Sequence, residues 1–348
     1  MKAAMLYEYD EKMDVELKLE TIPDPTINAA DEVIVRVGAA GLCRTDLHVI
    51  EGVFQGMVDP QGTLLPYVMG HENAGWVEAV GSGVTTVKPG DAVICHPFRT
   101  CGVCYACRRG QDNYCQNYMF PGVTHNGGFA DYLLTNERAL IKLNEDVLPV
   151  AVAPLADAGI TAYRAAKRAA QKLTPGQYCV VLGVGGLGHI ALQVLHALCG
   201  ARTIAIDFNE SARKLAADLG ATHVLDGNPE TVVQEVHELT KGGAQAVLDF
   251  VGERGAEQLC WQMLGQGGTH HIIGYGGEIH IPTAHFVLQE ISVAGTLVGN
   301  YMELVELMEL NAEGKVNLHA QEYSLDNINA AITAFKNRQI VGRGIIVP

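Results

Sequence analysis

Residues 178–198 read YCVVLGVGGLGHIALQVLHAL, and this stretch decides the fold of the second half of the chain. Tyr178 to Leu182 is apolar and β-rich, as a buried strand is. Leu187 to Leu198 carries apolar residues at helical spacing. Between them, Gly183-Val184-Gly185-Gly186-Leu187-Gly188 fits G-x-G-x-x-G. In a strand–turn–helix context the first glycine permits the tight turn and the second lets backbone approach a pyrophosphate. The third lets the helix pack on the strand. The helix N-terminus adds N–H groups and the positive end of a dipole. Asp207 follows the next strand candidate, Thr203 to Ile206, nineteen residues after Gly188. A carboxylate there accepts ribose hydroxyls and repels a 2′-phosphate, so NAD is expected over NADP. Arg213 stands close enough in sequence to offset part of that charge.

Outward from this motif, strands and helices alternate. Ser211 to Leu219 is a helix candidate. Val224-Leu225, Ala246 to Phe250, His271 to Ile273 and Ile291 to Leu297 are strand candidates. Alternation of this kind predicts an α/β, doubly wound parallel sheet. It begins near Pro154. Upstream the pattern is β-rich: Glu32 to Val37, Gly75 to Val80 and Asp91 to Cys95 read as strands between Gly/Pro turns. After residue 297 a helix (Glu303 to Leu310) and a closing strand (Gly342 to Val347) are expected. No internal repeat is visible.

Within the β-rich half, Cys101, Cys104, Cys107 and Cys115 fall in fifteen residues with the spacing C-x2-C-x2-C-x7-C. Four thiolates this close can close a tetrahedron around one Zn2+ and leave no open position, which marks a structural zinc. Iron–sulfur loops use a shorter final gap, so zinc is the better reading. Cys43 and His71 are further zinc-type residues, but twenty-eight residues separate them and spacing alone does not pair them. A buried thiol and a core imidazole remain open alternatives.

Composition bounds the partners. The 348 residues include 39 acidic and 24 basic ones, for a net charge of −15, which argues against nucleic acid or an anionic membrane. A hydrophobic share of 48% supplies material for two cores. The first residues lack a signal-peptide pattern, and no uncharged apolar run is long enough to span a bilayer. A cytoplasmic setting is therefore expected, where nine cysteines read as metal ligands or core thiols, the latter for Cys95, Cys179, Cys199 and Cys260.

Seven segments together resemble the zinc-dependent medium-chain dehydrogenase/reductase family, alcohol dehydrogenase type. They are GLCRTDLHV (Gly41 to Val49), GHENAGWVEAVGSGV (Gly70 to Val84), GDAV (Gly90 to Val93), the four-cysteine lobe, PLADAGITAY (Pro154 to Tyr163), GVGGLGH (Gly183 to His189) and GRGIIVP (Gly342 to Pro348). They stand in family order over nearly the full length.

The resemblance implies a GroES-like β-rich catalytic domain over 1–157, with the lobe at 95–116. It implies a Rossmann NAD-binding domain over 158–296 and a return to the catalytic domain over 297–348. It implies two zinc ions per chain. Cys43, His71 and Asp157 would hold the catalytic one; many relatives carry Cys at the third position, and a carboxylate is an acceptable ligand. Glu72 would sit beside this metal, and Asp46 would fix the His71 tautomer. Thr45 would accept the alcohol proton and relay it through the nicotinamide ribose to His48, whose ordinary pKa is near ~6.5. Arg44 and Arg343 match positions that contact the cofactor pyrophosphate.

The expected reaction is reversible oxidation of alcohols, secondary ones first, by hydride transfer to NAD. A polyol or amino-alcohol dehydrogenase is the nearest alternative, and a non-catalytic cofactor-binding protein a remote one. Phe54, Phe98, Phe120 and Leu297 are candidates for the substrate wall or for core packing. His270 and His271 read as packing and cofactor-cleft lining, not as a ligand pair, and His96 and His125 carry no assignment. A homotetramer, or a homodimer, is expected from the resemblance alone.

Overall fold

The computed structural model describes residues 1–348. The chain forms two compact units. The first comprises Met1–Ala158, Asn300–Ala312 and Leu318–Pro348, and the second Gly159–Gly299 with Glu313–Asn317.

In the first unit the organising strand is Glu32–Leu42. Its early part alternates as a half-buried strand does, while Ala39 to Leu42 are buried without a break, because both faces are covered there. It pairs antiparallel with Glu72–Val80, with Tyr132–Asn136 and with Arg343–Val347. Arg343–Val347 also takes Ala320–Ser324 in parallel at the sheet's edge. On the other side Glu72–Val80 continues to Ala92–Cys95 and Leu140–Lys142. A smaller antiparallel sheet joins Lys18–Thr21, Lys2–Leu6 and Tyr67–Val68. Leu6, Val35, Leu42, Ile50, Met69 and Phe129 meet in one core. Gly75 lets two strands lie close: a Cβ there would stand 2.1 Å from the Arg36 carbonyl oxygen.

The second unit is a six-stranded parallel sheet. Its order is His223–Leu225, Arg202–Ile206, Tyr178–Leu182, Ala244–Asp249, Leu264–Ile272 and Ser292–Gly295. The chain starts in the middle, winds one way and then the other, which is the doubly wound pattern. The reversal falls beside Tyr178–Leu182, and such switch points leave a crevice at the strands' carboxyl ends. Val180, Ile204, Val236, Val247, Cys260 and Met263 form its core.

Several elements differ from the sequence reading. The strand expected at His271 to Ile273 runs over Leu264–Ile272. Its glycines look like a turn, but they sit in an irregular stretch where the register with Ala244–Asp249 shifts. The helix expected from Ser211 starts at Glu210, because the Asn209 side chain caps it by accepting from the Ser211 N–H at 2.9 Å. The short strands Lys2–Leu6 and Ala320–Ser324 have no strong periodicity of their own; pairing creates them.

Candidate active site

Cys43 ends the strand Glu32–Leu42 and caps the helix Arg44–Ile50. Asp46, at the third position of that helix, accepts the Cys43 backbone N–H at 2.8 Å. Its other oxygen lies 3.1 Å from His71 Nδ1. One fully buried carboxylate thus fixes two candidate ligands at once. His71 follows Gly70, whose φ is +95° and whose Cβ would stand 2.6 Å from the Phe129 ring, so only glycine fits that turn. Asp157 follows the turn Ala153–Ala156, just before the helix Ala158–Ala170.

The structure brings these residues together. The ligating atoms of Cys43, His71, Glu72 and Asp157 all lie within 4.8 Å of one another, and all four residues are buried. His71 Nε2 has no hydrogen-bond partner, and neither does Asp157 Oδ1. Asp157 Oδ2 is 3.4 Å from His71 Nε2. With Nδ1 at Asp46, Nε2 faces the Asp157 carboxylate without a hydrogen bond, an arrangement that a proton or a metal cation between them satisfies. The electrostatics agree. Burial opposes a charge on His71, yet Asp46 and Asp157 outweigh it and hold the imidazole well above its ordinary pKa. A soft thiolate, an imidazole and a carboxylate suit zinc, and three protein ligands leave a position for substrate.

Glu72 sits behind this group. Its Oε1 accepts the Ala158 N–H at 3.1 Å, and Oε2 pairs with the Arg343 guanidinium. Burial pushes the Glu72 carboxyl up, against Arg343 and His71, and Asp157 adds to the rise. Gly41 makes room: a Cβ there would stand 1.9 Å from Glu72 Oε2. Arg343 is 1% exposed and committed to Glu72, so it is neither a surface arginine nor, in this conformation, open to a phosphate. Arg44 is exposed and 4.0 Å from Glu51.

Thr45 and His48 are three apart on the helix Arg44–Ile50 and so share a face. Thr45 Oγ1 is 3.7 Å from Cys43 Sγ. His48 is buried and meets Phe54 edge-on, ring centroids 6.1 Å apart. Phe120 meets His71 at 5.5 Å and Phe98 at 4.7 Å. Phe54, Phe98 and Phe120 therefore stand against the site's two imidazoles or each other. Leu297 belongs to the second unit and is half exposed. His96 bonds within its own loop, to Phe98, and His125 contacts the Thr124 hydroxyl.

In the lobe, Cys115 Sγ is 3.6 Å from Cys101 Sγ and 3.9 Å from Cys104 Sγ. A tetrahedron with Zn–S near 2.3 Å has S···S edges of about 3.8 Å. The backbone N–H groups of Cys101 and Cys104 point at sulfurs, each at 3.4 Å, as they do around thiolates. Backbone N–H donors pull the Cys104 thiol down to about 6. Arg138 pins the lobe through Asp112 at 2.6 Å and Thr100 at 3.1 Å.

The glycine loop has the expected geometry. Gly183 takes φ +86°. A Cβ on Gly188 would stand 1.9 Å from the Gly183 carbonyl, which is the close strand–helix approach. A Cβ on Gly185 would meet nothing within 4 Å, so space is left beside it for a phosphate. Gly186 and Leu187 lead into the helix Gly188–Leu198. Asp207 Oδ2 accepts the Val184 N–H at 2.8 Å, and Oδ1 accepts the Asn209 N–H at 2.8 Å. Arg213 is tied to the Asp207 and Phe208 carbonyl oxygens at 2.9 and 2.8 Å, which leaves the Asp207 carboxylate unpaired by it.

A further buried group, Asp249, Cys260 and His270, also has ligand-type atoms within 4.8 Å. Its carboxylate is already filled. It accepts the Val251 and Gly252 N–H groups at 3.0 and 2.8 Å, contacts His270 Nε2 at 3.3 Å, and accepts a hydrogen bond from the Cys260 thiol. This is a packing knot. Burial pushes the thiols of Cys95 (to about 12), Cys179 and Cys260 up, as inert core thiols are. Gly41 and the Arg343–Glu72 pair escaped the sequence reading, because only the register Gly41 opposite Glu72 reveals them.

Comparison with known proteins places these sites in context. Residues 29–145 match the family "Alcohol dehydrogenase GroES-like domain", and residues 186–313 match "Zinc-binding dehydrogenase". The chain is 34% identical over 339 residues to an NAD-dependent alcohol dehydrogenase of Sulfurisphaera tokodaii, covering 95% of this chain and 96% of that one. It is also 34% identical, over 100% of its length and 97% of the relative's, to a D-arabinose 1-dehydrogenase (NADP(+)) of Saccharolobus solfataricus. The crystal structure of the alcohol dehydrogenase from Aeropyrum pernix superposes with a TM-score of 0.95 at 43% identity, over 100% of both chains.

Proposed function

The chain belongs to the zinc-dependent medium-chain alcohol dehydrogenase family, and on that premise we propose that Cys43, His71 and Asp157 hold its catalytic zinc. Its reaction is the oxidation of alcohols with hydride transfer to NAD. The observation that carries the site assignment is the orphaned His71 Nε2 facing the Asp157 carboxylate. When bound, zinc supplies a Lewis acid that lowers the pKa of the substrate hydroxyl, and NAD supplies the hydride acceptor.

The chain's own residues do the rest. Asp46 fixes the His71 tautomer by accepting from Nδ1. Arg343 holds Glu72 beside the ligands. Thr45 takes the substrate proton, and His48, on the same helical face, passes it on. The aromatic rings of Phe54, Phe98 and Phe120 exclude water on the substrate side. Gly183 to Gly188 cradle the pyrophosphate, and Asp207 takes the ribose hydroxyls. Arg44 is exposed, so its guanidinium is open to a phosphate. For Arg343 to contact a phosphate as well, it would have to leave part of its pairing with Glu72. Cys101, Cys104, Cys107 and Cys115 hold a structural zinc.

The apolar wall favours secondary alcohols over polyols, and a wall of this kind discriminates weakly between homologous substrates. The test is NADH formation across primary alcohols, secondary alcohols and D-arabinose. We expect secondary alcohols to rank first, with a His48→Gln variant about 10-fold to 100-fold slower. A ranking led by the sugar would place the chain with polyol-type relatives, and no turnover would mean a cofactor-binding protein.

No helix of the chain is long and apolar enough to cross a membrane. The nine cysteines are free, which supports a reducing, cytoplasmic setting. Self-association is supported by the second unit. The helix Thr283–Leu288 buries none of its residues, and Val287 and Leu288 are 70% and 74% exposed. The neighbouring strand Ser292–Gly295 is the sheet's free edge. Edges and apolar patches of this kind are usually covered. A homotetramer built from such dimers is expected; a monomeric mass by light scattering would overturn self-association.

A further inference from the structure

We infer that the Tyr9–Asp59 pair is a latch that positions the loop from Gly52 to Pro66 beside His48 and so tunes which alcohols enter. The substrate half of this inference rests on the reading of Thr45 and His48 given above.

Phe54, Leu64 and Leu65 pack against the core, but little of the loop is fully buried. Its only helix, Gln55–Val58, has four residues and buries none of them. Val53 and Met57 are 56% and 79% exposed. Asp59 is the exception, at 3% exposed. A carboxylate buried in an otherwise open loop is costly unless its oxygens find donors. Here Oδ1 accepts the backbone N–H groups of Thr63 at 2.7 Å and Leu64 at 3.1 Å, which closes the loop on itself. Oδ2 accepts the Tyr9 hydroxyl at 3.0 Å, which ties the loop to the N-terminal segment.

That segment is itself anchored to the end of the helix Arg44–Ile50. The Asp10 N–H donates to the Ile50 carbonyl at 2.7 Å. The loop's entrance is fitted to the same tyrosine: Gly52 takes φ +75°, and a Cβ there would stand 3.1 Å from Tyr9 Cβ. The functional end of the loop is Phe54, edge-on to His48. The Val53 N–H donates to the His48 carbonyl at 3.0 Å. Moving the loop therefore moves the ring that meets the relay histidine. Tyr9 and Asp59 touch no candidate ligand and no cofactor motif. Their role is positioning.

The test uses the zinc-loaded protein and two variants, Tyr9→Phe and Asp59→Ala. Hydrogen exchange of the peptide spanning 52–66 should accelerate about 5-fold in the first and more in the second, with other peptides unchanged. Zinc content should stay at the wild-type value. The kcat for 2-propanol should remain within about 2-fold of wild type, while KM for 1-phenylethanol moves, shifting the ratio of the two kcat/KM values by about 3-fold or more. Unchanged exchange in both variants overturns the latch. Faster exchange with an unchanged substrate ratio overturns the tuning role. Should the wild type oxidise no alcohol, the substrate reading fails, and the exchange result alone still decides whether the latch exists. Tyr9→Phe removes one oxygen and leaves the Asp59 bonds to Thr63 and Leu64, so it answers even if Asp59→Ala misfolds.

Discussion

Asp157→Asn is expected to lower kcat/KM for alcohol oxidation by about 100-fold or more, some 2.7 kcal/mol of transition-state stabilisation. The substitution keeps the shape and removes the charge that makes Asp157 the proposed third ligand. In the metal-free site the new amide can donate to His71 Nε2 when the ring is neutral and accept from it through its oxygen when the ring is protonated. The variant should therefore fold at least as well without metal as the parent does, and the loss of rate cannot be put down to unfolding. Metal analysis should find about one zinc per chain, the lobe's, where the parent has about two. The same electrostatics give a pH dependence. The His71 imidazole is held above its ordinary pKa when no metal is present, so it stays protonated as pH rises past the usual histidine range. Zinc must displace that proton, and its affinity rises with pH. Chelators should strip this site faster in mild acid. Unchanged kinetics and zinc content in Asp157→Asn would remove Asp157 from the ligand set.

Cys115→Ser is the second large effect, and it acts on stability. The lobe has almost no apolar core. Between Cys101 and Cys115 it holds a four-residue helix, Tyr105–Arg108, and a single turn, Asp112–Tyr114. Val103 and Tyr105 are 69% and 76% exposed. Its order rests on the four sulfurs and the Arg138 anchor. Losing one thiolate should release the structural zinc, lower Tm by about 5–10 °C and open residues 101–115 to proteolysis. The Cys43, His71 and Asp157 site lies on other elements, so turnover per folded molecule should stay within about 2-fold. An unchanged Tm with one zinc fewer would mean that the lobe folds without its metal.

Much of this is legible in the sequence. The strand–glycine–helix run fixes its own geometry, because each glycine answers a local need: a positive φ at Gly183, contact at Gly188, open space at Gly185. The lobe was legible for the same reason, since four ligands lie in fifteen residues. Cys43 and His71 were not readable from spacing. Antiparallel pairing of Glu32–Leu42 with Glu72–Val80 sets Gly41 opposite Glu72 and so carries the two candidate ligands to one end of the ladder. A sequence pattern specifies faces, but register appears only on pairing. Arg343 shows the limit most clearly. Its resemblance pointed to phosphate, while its position on a sheet strand next to Glu32–Leu42 delivers it to Glu72. The latch was invisible for a similar reason, since Tyr9 and Asp59 are fifty residues apart in a region without periodicity.

The central claim is that the buried Cys43, His71 and Asp157 group holds a zinc on which alcohol oxidation depends. The most direct measurement is NADH formation from a secondary alcohol as zinc is withdrawn by a chelator and returned, with zinc per chain counted at each step. The account predicts that activity vanishes with loss of the zinc at Cys43, His71 and Asp157 and returns in proportion to it, while the lobe's four-thiolate zinc and the fold persist. Full turnover in protein stripped of that zinc would contradict it.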